Sequence, residues 1–154
     1  DNGLFELVIR RASAPPRWWH ITWRPDRLSA SFHGRDLFAP VAARLARDEM
    51  PLGQEYPLSE IIRPDWSDDL PEVVYVDVFG NAITGIRAST VPHSAEIVVS
   101  NRRVRRAKTF SEVSPGQAFW YENSNGLVEL AVNLKRADTA LGIGPGSTIY
   151  IARN

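Results

Sequence analysis

The chain is 154 residues long, and its 18 lysines and arginines are balanced by 18 aspartates and glutamates, so no global field draws it to nucleic acid or to an acidic membrane. It holds no cysteine, which excludes disulfides, thiol nucleophiles and cysteine zinc sites, and its three histidines, His20, His33 and His93, stand in no metal-ligand spacing. The length suits one ordinary domain or two small ones; with no apolar run near the roughly 18 residues of a membrane span and no signal peptide evident ahead of the first strand, a soluble, cytoplasmic protein is expected.

The chain opens in Asp1-Asn2-Gly3 and an apolar periodic run, without a methionine, and is expected to be the latter part of something longer. Leu4, Leu7, Val8 and Arg11 follow helical spacing behind Asp1 or Asn2 as cap, predicting a short helix. Pro15 and Pro16 break it. Trp19, Ile21 and Trp23 then alternate as a strand with one aromatic face does, and residues 24–28 read as loop.

Phe38, Val41, Ala42 and Leu45 recur at helical spacing, with Pro40 suited to the first turn. Phe32-His33-Gly34-Arg35-Asp36 is therefore a loop feeding a helix N-terminus, where backbone N–H groups and the dipole favour anions or polar ligands. Gly34 allows close backbone approach. On the residues alone His33 is either a side chain bonded to a neighbouring carbonyl or a functional group, and Arg35 and Asp36 read as a local ion pair.

Residues 54–70, with Pro57, Pro64 and several acidic side chains, read as a linker between two domains, 1–53 and 71–154. Beyond it the pattern predicts seven short strands at 73–78, 82–87, 95–100, 104–110, 118–123, 127–132 and 147–152, as in a small closed barrel or sandwich. Gly80-Asn81 and Asn125-Gly126 mark hairpin turns, since these residue types accept positive φ. Residues 136–141 suit one helical turn plugging an end.

Asp77 is the anomaly of this half: a carboxylate inside an apolar strand, which must find a partner or lie close to water. Asp77, Phe79 and Asn81 together could bind an amine, an aromatic face and an amide-type edge; the alternative is a structural turn. Arg102, Arg103, Arg105, Arg106 and Lys108 form the only charge run, readable as a nucleic-acid patch, as a solvated hairpin or as a face for acidic groups of a neighbouring subunit. Zero net charge and the lack of interleaved aromatics favour the latter two.

Four motifs, in this order, closely resemble the S-adenosyl-L-methionine hydroxide adenosyltransferases, the hydrolase branch of the family that includes the fluorinating and chlorinating enzymes. They are Asp1-Asn2-Gly3; Phe32-His33-Gly34-Arg35-Asp36 with Phe38-Ala39-Pro40-Val41-Ala42-Ala43; Asp77-Val78-Phe79-Gly80-Asn81; and Asn123-Ser124-Asn125-Gly126 leading to Glu129-Leu130-Ala131-Val132-Asn133. The resemblance implies an α/β/α layered N-terminal domain, incomplete in this chain, followed by an all-β small barrel. It also implies an absent earlier part carrying a Thr-Asp-Phe-Gly-like ribose-binding segment and a Val-Asp-Pro-Gly-Val-Gly segment. Of the Asp-Arg-His set assigned to the hydrolase branch, only the histidine has a counterpart, His33.

The implied reaction is in-line displacement at ribose C5′ by water or hydroxide, giving adenosine and L-methionine, with neither metal nor cofactor. His33 would hold or help deprotonate the water, with the Gly34 backbone close to C5′ and Phe32 beside the substrate. Asp77 would take the methionine ammonium, and Ser124 with Asn125 the amino-acid end. Phe79 and Phe110 would pack on adenine, Asn81 would read its edge, and Asn133 with Leu134 would add adenine contacts. Sites shared between subunits of a homotrimer are implied, with S-adenosyl-L-methionine or adenosine as ligand and neither nucleic acid nor membrane as partner. His33-Gly34, where halogenating relatives carry tyrosine and serine-type pairs, favours water over halide. The alternatives are a halide adenosyltransferase and a non-catalytic adenosyl- or nucleic-acid-binding barrel.

Overall fold

The computed structural model describes residues 3, 5–50, 53–60 and 65–152. They divide into two compact units, Asp1–Trp66 and Ser67–Asn154.

In the first unit, helix α1 is Glu6–Arg10, held by an ion pair between Arg10 Nε and the buried Glu6 carboxylate at 2.6 Å. Leu4 and the caps predicted at Asp1 or Asn2 lie outside the described residues. Strand β1, Trp18–Ile21, pairs antiparallel with β2, Gly53–Tyr56, with Ile21 opposite Gly53. Gly53 is required there, because a Cβ would stand 2.1 Å from the His20 carbonyl oxygen. Helix α2, Ala39–Leu45, follows a wider helical turn at Gly34–Phe38; Leu37 is the buried side chain of the turn and Val41 that of the helix. The α/β/α layering expected of this half is not visible among the described residues, which carry two short helices and one two-stranded sheet. Residues 53–56 give the segment read as linker an ordered start, and 61–64 lie outside the described residues.

The second unit is mostly sheet. Its seven strands are β3 Leu70–Val76, β4 Ala82–Arg87, β5 Glu96–Val99, β6 Arg102–Arg106, β7 Ala118–Glu122, β8 Leu127–Val132 and β9 Tyr150–Ala152. Each of the seven predicted strands has a counterpart, but β6 is shifted to Arg102–Arg106, with Phe110 in a 3-10 turn beyond it, and β9 begins at Tyr150 rather than at 147. They form one mixed sheet in the order β3-β4-β8-β7-β6-β5-β9, with β6 and β7 parallel and the other neighbours antiparallel.

The sheet curls until its edges meet. Val73 N–H donates to the Ser147 carbonyl at 2.9 Å, Ile149 N–H to Pro71 at 2.8 Å, and Gly146 N–H to Val73 at 2.8 Å. The barrel-like interior is filled by alternate residues of each strand, among them Ala82 and Ile86, Ile97 and Val99, Trp120, and Val128 and Leu130. Helix α3, Ala137–Leu141, sends Ala137 and Leu141 into the same core, as the single-turn plug required.

Candidate functional site

Strand β8 is buried along nearly its whole length, which means that both its faces are covered. Val128, Leu130 and Val132 face the core; Ala131 packs with Phe119 and Ala107 in a second, smaller cluster on the outer face. That outer face floors a cleft of about 690 Å³. Its walls come from four separate segments: the β3–β4 turn with Phe79 and Asn81, residues 108–110 after β6, Phe119 and Tyr121 on β7, and the turn 132–136 after β8.

Of the residues singled out from sequence, Phe79, Asn81, Phe110, Asn133 and Leu134 line this cleft, although more than fifty positions separate the first from the last. Phe79 is 75% exposed, Phe110 67% and Leu134 82%, so the lip is apolar and open. Phe119 and Tyr121 stack within it, with ring centroids 5.7 Å apart. Asn133 donates its amide N–H to the Val113 carbonyl at 2.7 Å and Asn81 donates to Asp77 at 3.2 Å. The amide oxygens of both asparagines have no partner among the described residues. Lys108, Lys135 and Arg136 add positive charge to the lining, and among the described residues no carboxylate lines it.

Asp77 shapes this wall from behind. Its Oδ1 accepts the backbone N–H of Phe79 at 2.9 Å and of Asn81 at 2.8 Å, and its Oδ2 accepts from the Asn81 amide. Asp77 is not inside the strand as expected: β3 ends at Val76, and Asp77 stands half-buried just beyond it, where its carboxylate organises the turn as aspartate does readily. Gly80 closes that turn at φ 87°, and a Cβ there would stand 2.6 Å from Arg136 Cβ. The first N–H groups of α3, from Ala137 and Asp138, donate to the Gly80 carbonyl at 2.9 and 3.0 Å, fixing the turn to the helix. Leu134 holds φ at 58°, a strained choice for a branched side chain, and it is the residue thus projected at the lip.

Ser124 and Asn125 stand exposed on the β7–β8 hairpin and do not line the cleft. Asn123 Oδ1 accepts the backbone N–H groups of Asn125 at 2.9 Å and Leu127 at 3.0 Å, and Gly126 takes φ 74°.

Sequence reasoning missed Tyr121, Phe119, Lys108 and Lys135. The alternation Phe119–Trp120–Tyr121 was a usable signal: Trp120 is fully buried, so its neighbours must face the other way.

In the first unit, His33 precedes the turn Gly34–Phe38, which is π-helical rather than the open loop expected, with Ala39 N–H bonded to the Gly34 carbonyl. Pro40 has no N–H, and its ring crowds the carbonyl four residues back, which accounts for the widened register. Arg35 Nε lies 2.5 Å from Asp36, and Asp36 Oδ2 also takes the Ser29 N–H at 3.0 Å. The Arg35 side chain, and after it the Ser29 N–H, hold the Asp36 carboxyl down at about 2. The ion pair predicted there is present. His33 and Phe32 are exposed, the Arg35 guanidinium lies 4.9 Å from the Phe32 ring centre, and nothing lies within 4 Å of where a Gly34 Cβ would be. Among the described residues no group of three or more metal-ligating side chains occurs.

The second unit is thus a curled β unit with an open aromatic cleft, edged by amide oxygens and cations. Residues 71–150 match the model of the SAM hydroxide adenosyltransferase C-terminal domain, and residues 1–54 that of the N-terminal domain. The chain belongs to the SAM hydroxide adenosyltransferase family. It is 41% identical to the (R)-S-adenosyl-L-methionine hydrolase of Thermus thermophilus, over 98% of this chain and 64% of the relative. It is 38% identical to the enzyme of that name from Salinispora arenicola, over 98% of this chain and 63% of the relative. A crystal structure of a conserved hypothetical protein from Thermus thermophilus superposes with a TM-score of 0.71 at 35% identity, covering 98% of this chain and 67% of that one. The chain spans less than two thirds of the length of the curated relatives it matches.

Proposed function

We propose that the protein hydrolyses S-adenosyl-L-methionine to adenosine and L-methionine. The observation that carries this reading is the cleft of the second unit, where Phe79, Asn81, Phe110, Asn133 and Leu134 converge from distant segments, in a chain whose relatives are named (R)-S-adenosyl-L-methionine hydrolase. Phe79, Phe110 and Tyr121 offer aromatic faces to adenine, and the amide oxygens of Asn81 and Asn133 suit its exocyclic amine. Asp77 would draw the methionine ammonium with the lone pairs its turn leaves unused. Ser124 and Asn125, exposed on their hairpin, would take the amino-acid end.

Chemically, water oxygen bonds to C5′ while the C5′–S bond breaks and its electron pair goes to sulfur, so methionine departs as a neutral thioether. The leaving group needs no acid, and the reaction needs no metal or cofactor. What remains is to place the water opposite sulfur and receive its proton, the role of His33. Phe32 would flank the ribose, and the open space over Gly34 supports close approach of C5′ there. The apolar lip around the cleft supports sites completed by another copy of the chain, in a homotrimer. The domain division is then 1–53, 54–70 and 71–154, with the first belonging to an α/β/α layered domain, in a cytoplasmic protein that binds neither nucleic acid nor membrane.

Incubation of the intact protein with S-adenosyl-L-methionine, with chloride and fluoride in parallel runs, tests this. Chromatography should show adenosine and methionine in equal amounts. Accumulation of 5′-halo-adenosine would transfer the protein to the halogenating branch, and an untouched substrate would end the enzymatic reading.

A further inference from the structure

Behind the aromatic wall of the cleft lies a buried carboxylate, Glu129, that the proposed chemistry does not use. Glu129 is only 6% exposed and sits on β8 directly opposite Tyr121 of β7. One of its oxygens accepts the Tyr121 hydroxyl, and the other accepts the Asn123 amide N–H at 3.0 Å. Asn123 in turn spends its own oxygen on the backbone of Asn125 and Leu127, shaping the turn that carries Ser124. The outer face of β7 and β8 is otherwise apolar here, with Phe119 and Ala131 as neighbours. An apolar residue at 129 would satisfy packing without the cost of burying a carboxylate. What the carboxylate adds is a link: one donor belongs to the cleft wall, the other to the hairpin outside the cleft.

We infer that Glu129 is a positioning residue of the cleft, holding the Tyr121 ring and the Ser124 turn in one arrangement. The wall for the flat part of the ligand and the loop for its amino-acid end are thereby set together. Burial first, and the bond to Glu129 second, push the Tyr121 hydroxyl well above the usual tyrosine range, so it stays the donor at any physiological pH. The inference rests on the adenosyl reading of the cleft.

Glu129→Met in the intact protein keeps a side chain of similar reach but removes both acceptor oxygens, so neither the Tyr121 hydroxyl nor the Asn123 amide is held. The KM for S-adenosyl-L-methionine and the Kd for adenosine should each rise about tenfold while kcat stays within about twofold, the pattern of lost uniform binding. A variant that only loses folded protein lowers the apparent kcat at constant KM; that result, or unchanged values of both, overturns the inference. Tyr121→Phe should raise KM similarly, and the double variant should cost clearly less than the two single effects combined. Full additivity would overturn the link. Calorimetry on the wild type separates the underlying question: no adenosine binding there removes the adenosyl reading, and this inference with it, before any variant is compared.

Discussion

At the scale of single residues, His33 and Asp77 have different standing. Asp77 has structural work of its own, since three hydrogen bonds within the turn already converge on its carboxylate. His33 has no such anchoring among the described residues: it stands exposed at the head of a π-helical turn, beside a Gly34 with open space over it. That exposure predicts a His33 phenotype in the chemistry and not in folding. His33→Ala should leave adenosine affinity nearly intact and slow S-adenosyl-L-methionine hydrolysis by about 10²-fold, the usual loss for a group that holds or deprotonates a nucleophile. Its fold should be undisturbed, as a thermal melt would verify. Turnover equal to wild type would remove the histidine from the chemistry.

At the scale of elements, the β3–β4 turn is the part most sensitive to a small change. Gly80 combines positive φ with Arg136 Cβ and Cγ in the space a side chain would need, and those atoms cannot swing aside as a side-chain tip could. Gly80→Ala should cost about 2 kcal/mol or more, summing left-handed strain and the clash. A fall of several degrees in melting temperature, with weakened adenosine binding because Phe79 and Asn81 move with the turn, is the expected result. The turn itself was legible from Gly80, as the β7–β8 turn was from Gly126, because positive φ narrows the residue choice, while Asn81 and Asn125 keep ordinary φ. Strands β3, β4, β5 and β8 were legible from their β-branched or apolar runs, whereas β2, Gly-Gln-Glu-Tyr, carries no such pattern and fell in the segment read as linker. The π-helical turn was not, since its cause is an absent N–H at Pro40 that ordinary helical periodicity does not register. Nor was the Glu129 pairing, because nothing in the spacing of Tyr121, Asn123 and Glu129 says that one carboxylate serves two strands.

At the scale of the whole molecule, the arginine run stands largely exposed but is paired more than its composition implies. Arg103 and Arg105 both grip Glu96, each at 2.9 Å, and Arg102 donates to the Ala140 carbonyl at 3.1 Å. Arg106 lies over the Trp120 ring at 5.4 Å. Of the cations from 102 to 106, those at 103 and 105 are thus shared with a carboxylate held below its usual range by them, Arg103 foremost. A phosphate backbone would compete with these bonds and gain little. Oligonucleotide binding should therefore vanish by about 150 mM salt in a gel shift, in line with counterion release from a few weak contacts. A complex that survives that salt would revive the nucleic-acid reading of this face.

The seam that joins the two edges of the curled sheet also sets when the second unit can form. Within the unit, residues 71–73 and residues 146–149 lie more than seventy positions apart, yet they share the backbone bonds of that seam. A nascent chain cannot make those bonds until nearly the whole unit has left the ribosome. Loop-closure entropy places such long-range pairing late in folding. Until then β3 is an unpaired edge rich in valine, and such an edge is open to pairing with other extended chains while the unit is still folding.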